Sequence, residues 1–111
     1  MRLSTHILDT ALGRPAANIA LTLSQQTQDD WQEIGHGTTD ADGRCRTLLG
    51  DHPLEAATYK IRFATANYFA TQKLTSLYPY VEIVFTVADS MQHHHIPLLL
   101  AANGYTTYRG S

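Results

Sequence analysis

Apolar and polar residues alternate with a period of two along much of this chain, the pattern of strands with one buried face. Ile19, Leu21 and Leu23 alternate with small or polar neighbours, as do Tyr59, Ile61 and Phe63, and again Val81, Ile83, Phe85 and Val87. Turn-forming clusters punctuate the chain: Gly13-Arg14-Pro15, Gly35-His36-Gly37, Asp40-Ala41-Asp42-Gly43, Gly50-Asp51-His52-Pro53, Tyr78-Pro79 and Asn103-Gly104. At Asp42-Gly43, an aspartate that bonds its own backbone precedes a residue that tolerates positive φ, so a tight turn should deliver Arg44 to the head of the next strand. Asn103-Gly104 makes residues 98–100 and 105–108 the arms of a C-terminal hairpin. One helix is expected over 66–74, capped by Asn67 or Thr65, with Phe69 and Lys73 at i, i+4 spacing. About eight short strands and one short helix describe an all-β protein, an antiparallel β-sandwich, with a small barrel as the alternative.

At 111 residues the chain has the size of a single domain, 1–111. Its eight Lys and Arg are scattered and the formal net charge is −2, so no basic stripe is available for phosphates and a nucleic-acid partner is not expected. No apolar run reaches the ~18–20 residues needed to span a bilayer, and no membrane role is expected. The start, Met1-Arg2-Leu3-Ser4-Thr5-His6, turns polar at once and does not read as a secretory signal. The expected location is the cytoplasm, or the periplasm if an export signal was removed. Cys45 is the single cysteine and reads as a small strand residue rather than a nucleophile. A charged fraction of only 16% leaves room for a subunit interface.

The polar residues that can carry chemistry lie in three places. His6 alternates with Ser4 and Leu8 on one strand face, and Arg44 follows the Asp42-Gly43 turn. His93-His94-His95 leads into the apolar run Ile96-Pro97-Leu98-Leu99-Leu100, followed by the tail Tyr105-Thr106-Thr107-Tyr108-Arg109-Gly110-Ser111. On a strand, His93 and His95 share a face and His94 takes the other. His93 and His94 read as solvated strand-end residues, whereas His95 should be oriented by the packed run after it. Pro97 removes a ladder donor, which suggests an edge, a bulge or a subunit seam. Three histidines can hold zinc and leave a position for water, or one can act as a metal-free general base. A neighbouring Arg44 and the scarcity of nearby carboxylates weigh against zinc.

Together, Leu3-Ser4-Thr5-His6-Ile7-Leu8-Asp9-Thr10 with Gly13-Arg14-Pro15-Ala16, Asp42-Gly43-Arg44, and the histidine run with the Tyr-Arg-Gly-Ser ending closely resemble 5-hydroxyisourate hydrolases, the purine-catabolic branch of the transthyretin-like proteins. Where that family commonly has Tyr between the two histidines this chain has His94, and where it commonly has Ser-Pro this chain has Ala101-Ala102. The resemblance implies a transthyretin-like sandwich assembled as a homotetramer, a dimer of dimers. It implies a small-molecule substrate, 5-hydroxyisourate, opened by water to 2-oxo-4-hydroxy-4-carboxy-5-ureidoimidazoline without metal or other cofactor. His6, Arg44, His95 and Ser111 would be catalytic, and His6, Arg44, Tyr108, Arg109 and Gly110 would bind substrate. Either histidine could be the base. The rival expectation is a non-catalytic carrier of small aromatic ligands.

Overall fold

Alternation is realised as nine strands and one helix in the computed structural model, which describes residues 2–111; Met1, the first residue of the polar start, lies outside that range. The strands are β1 (Leu3–Asp9), β2 (Arg14–Pro15), β3 (Ala20–Thr27), β4 (Asp30–Thr38), β5 (Arg44–Cys45), β6 (Ala57–Phe63), β7 (Val81–Val87), β8 (His94–Ala101) and β9 (Gly104–Thr107), with α1 (Thr65–Thr71) after β6. One sheet runs β2-β1-β8-β9, with β5 also paired to β1, and the other runs β4-β3-β6-β7. Every pairing is antiparallel except β1 with β8, which are parallel.

The inner faces supply the core. Leu3, Ile7, Leu98 and Leu100 from the first sheet meet Leu21, Leu23, Tyr59, Ile61, Phe63 and Val81 from the second, all at most 2% exposed. Tyr59 is buried with its hydroxyl satisfied: it donates to the Glu55 carbonyl and accepts from the Glu55 N–H, both at 2.9 Å. Cys45 is buried in the same core, as a small apolar residue would be. Because successive side chains on β1 alternate, Leu3, Thr5, Ile7 and Asp9 are buried while Ser4, His6 and Leu8 stand half-buried on the outer face.

Four local expectations are corrected. Gly35-His36-Gly37 is no turn but the interior of β4. A Cβ at Gly35 would run into the Leu48 carbonyl oxygen, and one at Gly37 would come within 2.6 Å of the Cys45 sulfur, so these glycines allow close approach of the chain rather than reversal. The helix starts at Thr65 and ends at Thr71, with Ala64 in the capping position and no side-chain cap; Lys73 lies beyond it at φ 59°. The C-terminal reversal is carried by Ala102 and Asn103, since Ala101 and Gly104 are already paired. Pro97 sits in β8, an interior strand between β1 and β9, rather than at an edge.

Candidate active site

Register on the outer face of the first sheet gathers residues far apart in sequence. His6 is the direct Cα partner of Arg44 on β5, and Ser4 is the direct partner of His95 on β8. Paired residues hold their side chains about 4.5–5.5 Å apart at Cβ, and alternate positions on one strand are about 7 Å apart, so the four side chains form one group. Arg44 is aimed by the turn before it. Asp40 Oδ1 accepts from the Asp42 N–H at 2.9 Å and the Arg44 N–H at 3.0 Å, and the Asp40 carbonyl accepts from Gly43 at 2.9 Å. Gly43 supplies the required positive φ of 76° where its backbone passes against the Ile7 carbonyl.

Electrostatics favour neutral imidazoles. Burial, then the nearby Arg44 guanidinium, lowers the pKa of His6 below its ordinary 6.5, against an opposing hydrogen bond with the Asp42 backbone. Burial, then Arg44, His93 and His6, lowers that of His95, against an opposing hydrogen bond at Ser4. Ser4 Oγ lies 2.8 Å from His95 Nδ1 and 3.0 Å from His93 Nε2.

The tail reaches this group at Gly110. Gly110 bridges to His95, its N–H donating to the His95 carbonyl at 2.9 Å. A Cβ on Gly110 would strike the His95 ring and come within 3.2 Å of Pro97, so the tail backbone lies directly against the imidazole. The bridge keeps the register of the β8·β9 pairs, interrupted opposite Pro97, which has no N–H to donate. Tyr108, between the end of β9 and the Gly110 bridge, is 54% exposed. Arg109 turns away and donates to Gln92 Oε1 at 3.1 Å. Residues 107–109 also line a separate cleft of 290 Å³ with Ile83, Phe85 and Ile96.

The single chain therefore brings together His6, Arg44, His95 and Gly110, and leaves Tyr108 and Ser111 exposed on either side of Gly110 in the tail; it does not bring Arg109 to the group. His94, expected to be solvated, is buried on the opposite face at 4% exposure, its Nδ1 3.0 Å from the Gln92 carbonyl. His93 is exposed as expected, but bonded to Ser4. Ser4 was not singled out from the sequence, although its place two residues before His6 put it on the same face. Among the described residues, no group of three or more His, Cys, Asp or Glu is arranged to hold a metal ion.

Solved structures share this architecture. Sea bream transthyretin in complex with thyroxine superposes with a TM-score of 0.93 at 34% identity, over 99% of this chain and 95% of that one. The 5-hydroxyisourate hydrolase of Klebsiella pneumoniae gives 0.86 at 35% identity, over 98% of each chain. The fold is thus that of a transthyretin-like sandwich, here with imidazoles and a guanidinium on one outer face. The profile of the HIUase/Transthyretin family matches residues 3–110, and the chain belongs to that family. In sequence it is 45% identical over 111 residues to the 5-hydroxyisourate hydrolase of Mus musculus, spanning 98% of this chain and 94% of the mouse protein.

Proposed function

We propose that this protein is a 5-hydroxyisourate hydrolase, opening its substrate to 2-oxo-4-hydroxy-4-carboxy-5-ureidoimidazoline. One observation carries the reading: His6, Arg44 and His95, from three distant segments, stand on one sheet face with Gly110 laid against the His95 ring. Ring opening needs a base for water and donors for the oxyanion that forms at the attacked carbonyl. A neutral imidazole supplies the base, worth typically ~10²–10⁴-fold. Both histidines are held neutral to lower pH than usual, so the base form is present at neutral pH. Arg44 offers a planar fork of donors suited to adjacent carbonyl oxygens and to developing negative charge. In this reading Tyr108 contacts the substrate ring, and the Ser111 hydroxyl, next to Gly110, adds a further polar group. The reaction as written calls on no cofactor.

The working form in this reading is a homotetramer, a dimer of dimers, in which a neighbouring copy covers the outer face that a single chain leaves half-open. Contact between Arg109 and the substrate then depends on that assembly.

The second reading, a small-ligand carrier, is favoured by the likeness to transthyretin in complex with thyroxine. A carrier needs affinity alone and gains nothing from two depressed imidazoles beside a guanidinium. Freshly generated 5-hydroxyisourate, made by oxidising urate, decides between them. Its near-ultraviolet absorbance should decay faster with the protein than without, and equally fast in chelator; an unchanged decay rate would leave the carrier.

A further inference from the structure

We infer that Ser4 and His93 set the tautomer of His95, making it the general base of the hydrolysis proposed above, on which the catalytic part of this inference rests. Ser4 Oγ is 2.8 Å from His95 Nδ1 and 3.0 Å from His93 Nε2. A serine hydroxyl has one hydrogen, so between two imidazole nitrogens it donates to one and accepts from the other. Two arrangements satisfy both bonds. If the hydroxyl donates to His95 Nδ1, a neutral His95 carries its proton on Nε2 and has no lone pair left for water. If the hydroxyl donates to His93 Nε2, then His95 Nδ1–H donates to Ser4, and His95 Nε2 is bare.

Only the second arrangement survives the chemistry without rearranging. When Nε2 takes a proton from water, the imidazolium donates from both nitrogens, and Ser4 must accept from it. With its hydrogen already committed to His93, the hydroxyl is turned the right way before the reaction starts, and nothing reorients in the transition state. The balance is local: the water proton goes to His95 Nε2, hydroxide adds to the ring carbonyl, and no proton crosses Ser4. His93 and Ser4 are positioning residues, acting through His95.

The fold holds this relay in place. Ser4 is the Cα partner of His95 across the parallel β1·β8 pair. His93 and His95 are alternate residues on one side of the chain, their rings 6.3 Å apart and inclined by only 24°.

Imidazole nitrogen shifts of the labelled full chain report the His95 tautomer, and kcat and KM for 5-hydroxyisourate report its consequence. The wild-type protein should show His95 protonated at Nδ1 and bare at Nε2. His93→Phe keeps a flat ring beside His95 but removes the acceptor. It should move the proton towards Nε2 and lower kcat by roughly 10–100-fold, a share of what a general base supplies, with little change in KM. His93→Gln restores an acceptor oxygen and should recover most of that kcat, whereas Ser4→Ala should match the Phe variant. A His93→Phe protein with unchanged tautomer and kcat, a Gln variant as slow as Phe, or a wild-type His95 protonated at Nε2 would overturn the inference. The shifts need no substrate, so a wild-type protein that fails to turn over condemns the hydrolase reading while the tautomer result still decides the relay.

Discussion

Arg44 acts on its neighbours through space as well as on any bound ligand, because after burial it is the next largest cause holding both His6 and His95 below their ordinary pKa. A base with a lowered pKa stays deprotonated to lower pH, so activity should rise through an apparent pKa below ~6.5 and be level at neutrality. Arg44→Gln removes one of the lowering influences, and the acid limb should move to higher pH. The same variant should lose about 2.7–4 kcal/mol of transition-state stabilisation, read as kcat/KM. A limb that stays put, or a loss below tenfold, would count against the assigned role. His6, Arg44 and His95 were legible as candidates because a histidine on an alternating strand and an arginine just after an Asp-Gly turn have definite orientations. Ser4 and His93 were not legible as a pair. A serine in a strand is unremarkable in sequence, and only the β1·β8 register, which alternation does not specify, puts it between two imidazoles.

Strands announced themselves where hydrophobic alternation was clean, as in β3, β6 and β7, and hid where packing demanded glycine. Residues 35–37 look like a turn in sequence because glycine breaks regular structure; in β4 they are there because the Leu48 carbonyl and the Cys45 sulfur leave no space for a side chain. The helix boundary is less legible, because no side-chain cap marks it. Neither expected cap forms, and Thr65 is buried inside the helix with its hydroxyl unbonded. Burying a hydroxyl without a partner costs about 1–3 kcal/mol, so Thr65→Val should raise stability by about 1 kcal/mol in urea denaturation. The tail, by contrast, stands out in the sequence, and Gly110 tests its proposed part sharply. Gly110→Ala places a methyl into the His95 ring and should reduce turnover with little change in melting temperature, whereas Gly104→Ala meets nothing within 4 Å and should be silent. Removing residues 109–111 should abolish turnover and leave the sandwich folded, since those side chains contribute nothing to the core; a fully active truncated chain would refute the tail's part.

For the molecule as a whole, the two-sheet architecture follows from alternation and turn spacing, but the partner of each strand does not. The parallel β1·β8 pair joins the two ends of the chain and assembles the site, and nothing in the period of either strand predicts it. Assembly belongs to this scale too. In each sheet the end strands, β4 and β7 in one and β2 and β9 in the other, have an unpaired edge within the described chain. If the homotetramer proposed above is the working form, light scattering coupled to size exclusion gives about four times the 12.3 kDa of one chain, and a monomer mass would contradict it. The central claim is that His6, Arg44 and His95 work as one unit on 5-hydroxyisourate. Initial rates of His6→Ala, Arg44→Ala, His95→Ala and the triple variant, each shown to be folded by its melting curve, test it most directly. Residues that act together give non-additive losses, so the triple variant should be no slower than the slowest single one. Single variants that keep near-wild-type rates, or losses that multiply across the three, would contradict it.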